Sequence, residues 1–205
     1  TALTLGSGTL TIKNASSDSN GLKILQDTSD TAKIINHYNG PMIFSTNNSE
    51  RGRFLAGGGL TFNGDTAAAN ALDDYEEGTW TPGFTFGGTA SGIVYTEQSG
   101  IYTKIGRQVT CTFDIRLSSN GSGTGAALMT GLPFTVGNLL TNTALEGGGL
   151  VTFHQQQGGS HTLMSVMPDD NSNHAQLYHD SDTVTDNTII GNTSTMRGVF
   201  TYFTG

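Results

Sequence analysis

The 205-residue chain is predicted to fold entirely from β-strands, and its composition and its hydrophobic pattern both lead to that prediction. Thr (31 residues) and Gly (29 residues) dominate the composition, whereas charged residues make up only 13%. Thr is a β-branched residue that favours strands, and Gly supplies the positive φ angles of tight turns. Runs such as residues 109–117 alternate apolar and polar side chains, which is the period of a half-buried strand.

The first 65 residues contain short apolar pairs, spaced i and i+2, that are separated by turn-rich spacers. These pairs are Leu3/Leu5, Leu10/Ile12, Leu22/Ile24, Ala32/Ile34, Met42/Phe44 and Leu60/Phe62. Each pair is one face of a brief strand, and a single copy of such strands buries too little apolar area to be stable. Three chains wrapped about an axis would give each pair a partner, so residues 1–65 are predicted to form a trimeric shaft. An ordinary small β domain is the alternative.

Residues 66–77 are predicted to form a joint, either a short helix or an extended acidic segment. Asp65 or Thr66 would cap a helix over the Ala-rich run 67–72. Four acids between residues 73 and 77 oppose a helix, because the helix dipole disfavours anions at its C-terminal end. Paired carboxylates also serve glycoside hydrolysis, but nothing in this segment would desolvate one of them, so a solvated joint is favoured.

From residue 78 onward, strand signals recur between Gly and Asn turns. The predicted strands cover residues 79–86, 93–95, 101–105, 109–117, 127–130, 149–153, 162–167, 174–178, 188–190 and 196–203, with a turn at 97–100. This series indicates an antiparallel β-sandwich head, jelly-roll-like in topology, over residues 78–205. Residues 198–203 are predicted as a central strand that is buried on both sides.

Charge and hydropathy argue against two classes of partner. The formal net charge is −8, and the final 89 residues carry six acids and one base. The sequence has no basic stripe to neutralise phosphates and no long apolar run, so neither nucleic-acid binding nor membrane insertion is expected. The chain begins at Thr1 rather than Met, so we expect it to be a piece of a longer protein.

Cys111 is the only cysteine, which excludes an intrachain disulfide. Alternation along residues 109–117 places its side chain on the apolar face of a strand. We therefore expect an inert thiol that is packed in the core.

Four histidines and several acids between residues 154 and 186 suggest a metal site. The histidines are His154, His161, His174 and His179. Their spacing matches no zinc motif, and the acids at 180–186 lack the Gly and final Glu of an EF-hand. No cofactor is expected, although calcium is favoured over zinc as a bound ion because carboxylate oxygens are numerous. The sequence has no G-x-S-x-G elbow and no phosphate loop, so we do not expect an enzyme.

Three phrases of the sequence resemble those of one known family. They are GPMIFSTNNSERGRF at residues 40–54, LDDYEEGTWTP at residues 72–82 and GLPF at residues 131–134. Similar phrases occur in the distal part of bacteriophage tail fibres, where a thin trimeric shaft leads into a receptor-binding head. The resemblance implies a homotrimer attached to the rest of a phage tail, on the virion and outside the host cell. It leaves the last third of the chain unmatched.

The polar loops of the last third offer planar amides, carboxylates and aromatic faces, which are the groups that recognise sugars. The candidate receptor-binding residues are Gln156, His161, Asp169, Asp170, His174, Gln176 and Tyr178. In the strand that begins at residue 174, alternation puts Ala175 and Leu177 towards the core and leaves His174, Gln176 and Tyr178 outside. A solvated or intersubunit face is the alternative to a glycan-binding one.

The sequence therefore predicts a phage tail-fibre adhesin whose trimeric β head binds a host-surface glycan or an outer-membrane component. Loops on a rigid sandwich would supply the contacts, and three copies would multiply a weak single-site affinity. Two alternatives stay open. One is a tailspike depolymerase that degrades capsule polysaccharide, and the other is a purely structural trimerisation tip.

Overall fold

The structure, a computed structural model, describes residues 22–26, 29, 31–139, 147–155, 163–180 and 183–205. Within these ranges the chain is all-β, and its one helical element is a single 3-10 turn at Ala68–Asn70. The predicted all-β class is therefore confirmed. The apolar pairs Leu3/Leu5 and Leu10/Ile12 lie outside the described residues.

The chain divides into two compact units, Thr1–Asp73 and Asp74–Gly205. In the first unit, β1 (Leu22–Gln26) pairs with β2 (Ala32–Asn36), and β3 (Met42–Thr46), β4 (Ser49–Phe54) and β5 (Leu60–Phe62) form an antiparallel sheet. The remaining predicted apolar pairs all fall in these strands. The strand β4 was not predicted, because its charged sequence SERGRF carries no clear apolar alternation.

The predicted joint is divided between the two units. Asp65 holds the 3-10 turn, since its carboxylate accepts hydrogen bonds from the Ala67 backbone (2.8 Å) and the Asn70 amide (2.6 Å). The acids Glu76 and Glu77 belong to β6 (Tyr75–Trp80), an edge strand of the second unit. The predicted head boundary at residue 78 therefore falls inside a strand.

The second unit is one ten-stranded sheet in which every pair is antiparallel. Its strands after β6 are β7 (Gly83–Phe86), β8 (Ile93–Ile105), β9 (Gln108–Asn120), β10 (Ala127–Thr130), β11 (Gly147–Gln155), β12 (Met164–Pro168), β13 (His174–His179), β14 (Thr183–Val184) and β15 (Thr195–Phe203). Their order is β6-β8-β9-β15-β11-β12-β13-β10-β7, and β14 pairs with β13 beside this path. The layers of the sandwich are thus parts of a single continuous sheet.

The sheet curls because its two end strands, β6 and β7, are neighbours in sequence. Only Thr81 and Pro82 separate them, so the two ends of the nine-strand path must come together. The prediction of one strand over residues 79–86 was wrong at this corner, where Pro82 has no amide hydrogen to donate. Across the curl, the hydroxyl of Tyr95 on β8 accepts a hydrogen bond of 2.7 Å from the backbone amide of Phe84 on β7.

The concave face of the sheet holds the core. Its largest fully buried side chains include Tyr202, Phe84, Phe86, Phe200, Ile115, Met129 and Met164. The ring of Phe200 lies 5.9 Å from Trp80, edge to face, and 6.2 Å from Phe113. This aromatic cluster joins β6, β9 and β15 from the inside of the curl.

Three predicted details of the second unit are wrong. Residues 93–105 form one strand with a bulge region near Tyr95, not two strands and a turn at 97–100. Residues 188–190 lie in a turn after β14 instead of a strand. The last strand is central, as predicted, but only one of its faces is buried, because Val199 and Phe203 point out to solvent.

Gly100 lies in the middle of β8 because the Trp80 indole occupies the space above it. A Cβ atom at position 100 would lie 2.3 Å from Nε1 of Trp80, and that nitrogen donates a 3.0 Å hydrogen bond to the Thr112 carbonyl. The indole therefore crosses β8 and fastens β6 to β9.

We predict that Gly100→Ala lowers the free energy of unfolding by about 1–3 kcal/mol, because overpacking displaces the indole and breaks its hydrogen bond. Thermal melts followed by Trp fluorescence would measure the loss. Gly148→Ala is the matched control on β11, since its Cβ would meet only Val166 O at an ordinary 3.4 Å. Equal melting temperatures for the two variants would contradict this role of Gly100.

A second prediction concerns the start of the head. Lys104 is buried and pairs with Asp74, so a fragment 78–205 leaves its ammonium without that partner and also loses half of β6. We expect the fragment 74–205 to melt cooperatively and to be more stable than the fragment 78–205. The difference in the free energy of unfolding should be only about 1–3 kcal/mol, because partial exposure of Asp74 weakens its ion pair with Lys104. Denaturant titration of both fragments measures the difference, and equal midpoints would show that Asp74 and the start of β6 are dispensable.

Candidate functional site

The outward face of β13 carries three of the predicted receptor-binding residues. Ala175 and Leu177 are fully buried, whereas His174, Gln176 and Tyr178 lie half-buried on the opposite face. The strand is fixed between β12 and β10, which pair with it over Met164–Pro168 and Leu128–Thr130. Three polar side chains are thereby held in line on a rigid strand, as the alternation predicted.

Asp169 extends this line beyond the start of β13. One of its carboxylate oxygens lies 3.1 Å from Nε2 of His174. Burial raises the pKa of the Asp169 carboxyl, while the nearby His174 opposes part of that rise. A partly desolvated carboxylate with an imidazole beside it can accept hydrogen bonds from a ligand hydroxyl more strongly than a fully solvated one.

The turn between β12 and β13 positions the two aspartates. The hydroxyl of Ser172 donates to the Asp169 carbonyl at 2.6 Å, and Asn171 adopts a positive φ of 54°. The turn is tied to the segment 135–136, since Val136 donates its amide to the Ser172 carbonyl at 2.9 Å. Asp170 follows Asp169 in this turn, and its Oδ1 is buried with no hydrogen-bond partner among the described residues.

Gln176 and Tyr178 have different surroundings. In the sheet register, Gln176 stands between Met167 and Leu128, and its Nε2 is buried without a hydrogen-bond partner in the described part of the chain. Tyr178 stands between Ser165 and Val184, which leaves its ring beside small side chains. The side chains of Gln176 and Tyr178 therefore lie on the same face as the Asp169–His174 pair.

Two predicted site residues, Gln156 and His161, lie outside the described residues. The structure thus brings together Asp169, His174, Gln176 and Tyr178, and it places Asp170 in the adjoining turn.

His174 and His179 do not converge on one point, and His161 lies outside the described residues. His174 is on the outer face of β13, whereas His179 is buried on its core side, with Nδ1 3.2 Å from the Thr185 hydroxyl. Among the described residues, no group of three His, Cys, Asp or Glu side chains could hold a metal ion.

Two hollows in the second unit were not predicted from sequence. One, of about 490 Å³, is lined by Lys104, whose ammonium pairs with Asp74 and lies 5.4 Å from the Phe134 ring centroid. The other, of about 540 Å³, lies beside Trp80 and Ile101. Both are assembled from separate strands or loops, so no local motif could have indicated them. Since each is wide open to solvent, neither has the enclosure typical of a small-molecule site.

A second surface, missed by the sequence analysis, lies on the outer face of the other half of the sheet. Ile101, Thr112, Val199 and Leu150, here called the outer row, are consecutive register partners across β8, β9, β15 and β11. Three of the four are aliphatic and exposed. The available signal was the alternation of residues 196–203, which places Val199 opposite the buried Phe200.

Comparisons with protein-family models, with curated proteins and with solved structures find no match to this chain. Among the described residues, no helix is long and apolar enough to cross a membrane.

The structure confirms that Cys111 is packed in the core, where burial raises the pKa of its thiol to about 12. We predict that a thiol reagent at pH 8 reacts with native protein at least a hundredfold more slowly than with protein in denaturant, because both access and thiolate are suppressed. Absorbance of the released reagent anion follows the reaction. Rapid modification of the native protein would contradict the packing of β9 against the core.

Proposed function

We propose that this chain is the distal part of a bacteriophage tail fibre, a homotrimer whose head binds a host-surface glycan or outer-membrane component. The observation that carries the proposal is the exposure of apolar side chains in the first unit. They are Ile24, Ile34, Ile43, Phe44, Phe54 and Phe62, each between 49% and 63% exposed. The sequence phrases at residues 40–54 and 72–82, which resemble those of phage tail fibres, support the same proposal.

This exposure disfavours a first unit that is stable as a single copy. Apolar surface contributes about 25 cal/mol for each Å² removed from water, and these strands leave most of that contribution unrealised. Two-stranded and three-stranded sheets of this size are marginal in water without a covered face. Association with identical chains would cover these side chains, and that supports a trimeric shaft in the first unit.

The outer face of β13 supports a binding function for the head. Asp169 and His174 offer acceptor and donor groups in line with Gln176, and Tyr178 adds a half-buried aromatic ring. Sugars are bound by this combination of hydrogen bonds and aromatic contact, and a rigid strand reduces the entropy lost on binding.

Binding is favoured over depolymerisation because, among the described residues, the carboxyl group whose pKa is raised is already engaged. Glycoside hydrolysis needs two carboxyl groups on opposite sides of the scissile bond, one of them free to act as an acid. Asp169 is instead paired with His174. New reducing ends after incubation of the protein with host polysaccharide would show that the tailspike alternative is correct.

The oligomeric state is the direct test of the proposal. We predict a particle of three times the chain mass of 21.5 kDa in light scattering at micromolar concentration, because the first unit needs partner chains to cover its apolar side chains. A stable monomer at that concentration would remove the basis for the shaft.

The β13 face is tested by substitution. We predict that Tyr178→Ala and His174→Ala each weaken adsorption to host cells at least tenfold, since an anchor contributes about 1–2 kcal/mol per site and three sites act together. The melting temperature should change by only a few degrees, because both side chains are half-buried. Adsorption of labelled protein to cells is measured beside Gln108→Ala, an exposed position on β9.

A large drop in melting temperature or loss of the oligomer in Tyr178→Ala would show that this face is an intersubunit contact. The receptor site would then have to lie elsewhere in the head.

A further inference from the structure

The outer faces of the two halves of the head differ in what they expose. On β10, β12 and β13, the outward side chains are half-buried and mostly polar. On the other half, the outer row exposes 60% of Ile101, 49% of Leu150 and 39% of Val199. Exposed aliphatic side chains in register across several strands mark an interaction surface.

The two rows of outward side chains beside the outer row differ in size. On one side, Thr103, Thr110 and Thr201 are register partners, and the hydroxyls of Thr110 and Thr201 lie 3.1 Å apart. On the other side, Arg197 lies over the Phe153 ring at 5.4 Å. The threonine row is flat, and the exposed Phe153 ring adds apolar area on the other side, so both rows can pack against another protein surface.

The size of this face matches a protein interface. Five strands, β6, β8, β9, β15 and β11, with about five outward rows measure roughly 20 by 28 Å at the usual strand spacing and rise. Accessible area exceeds this projected area, so the face is of the order of the ~800 Å² that each partner contributes to a standard complex.

Charge indicates which partner fits. The chain has a net charge of −8, so two copies repel each other over most of their surfaces. The outward residues of β6, β8, β9, β15 and β11 include three acids and two bases, namely Glu77, Glu97, Asp114, Arg116 and Arg197. Asp114 binds both arginines, with 2.7 Å to Arg197 Nε and 3.3 Å to Arg116. Three acids and two bases leave this face with a formal charge of −1 out of the chain's −8, so a second copy is repelled less here than over the rest of the surface.

We propose that the outer row is the contact through which the head packs against a second copy of itself. This inference rests on the proposed function, which supplies the number of copies. It assigns the two halves of the sheet different tasks: the outer row holds the heads together, and the β13 face stays free for the receptor.

The test uses the full chain with one added thiol at a time. Val199→Cys lies in the outer row, and Val184→Cys is its matched control on β14, because the two valines are 39% and 40% exposed in a single chain. Native Cys111 is buried and sets a low background. Mass spectrometry measures the rate of maleimide labelling, and light scattering on the same samples measures the oligomeric state.

We expect Val199→Cys to be labelled at least tenfold more slowly than Val184→Cys in the trimer, and both to react equally in denaturant. Equal rates in a trimer would overturn the head contact and leave the tail-fibre proposal standing. A monomer with equal rates would overturn both. A monomer in which only position 199 is protected would mean that the chain covers its own outer row, which also overturns the inference.

A charge variant gives an independent measurement. Val199→Glu places a carboxylate without a basic partner inside the proposed contact, so the trimer should dissociate at a lower temperature than the trimer of Val184→Glu. Both substitutions are outward and leave the core intact. Indistinguishable dissociation temperatures would count against the contact.

Discussion

The two-residue connection between β6 and β7 is the constraint on which the head depends. Because Thr81 and Pro82 alone separate the end strands of the nine-strand path, the sheet has to curl until its ends meet. One face then becomes the core, and the Trp80 indole fixes the curl by crossing Gly100 to reach the Thr112 carbonyl. An aromatic side chain at the corner thus determines which face of every strand is inside.

That division also determines what the outside can do. Once the concave face is filled, each strand presents its alternate residues to solvent, and neighbouring strands place them in rows. On one half the rows expose Ile101, Val199 and Leu150, and on the other they hold His174, Gln176 and Tyr178. The proposed surface for self-association and the proposed surface for binding lie on the same side of one sheet, and the strand order alone separates them.

Alternation of apolar and polar residues correctly predicted which face of the sheet the side chains of β13 and Cys111 occupy. In a strand with one buried face, each side chain has to point to the side opposite its neighbour's. The errors arose where a residue type had two physical uses. Gly100 was interpreted as a turn glycine, but it sits inside β8 to make room for Trp80. Residues 198–203 were interpreted as buried on both sides because apolar side chains were equated with burial, whereas Val199 is exposed. The hollows near Lys104 and Trp80 depend on contacts between distant segments, which no local pattern encodes.

The two units differ in how many apolar side chains they bury. In the head, every strand except β8 and the short β14 contributes fully buried side chains to one cluster, and Ile93, Tyr95 and Tyr102 of β8 pack against it. In the first unit, Gly52 and Thr61 are the buried residues among those described, and neither supplies appreciable apolar area. In the proposed trimer, association would supply the free energy that stabilises the first unit, and its stability would depend on chain concentration. The head carries its own core, so its fold would persist at dilutions where the proposed shaft dissociates.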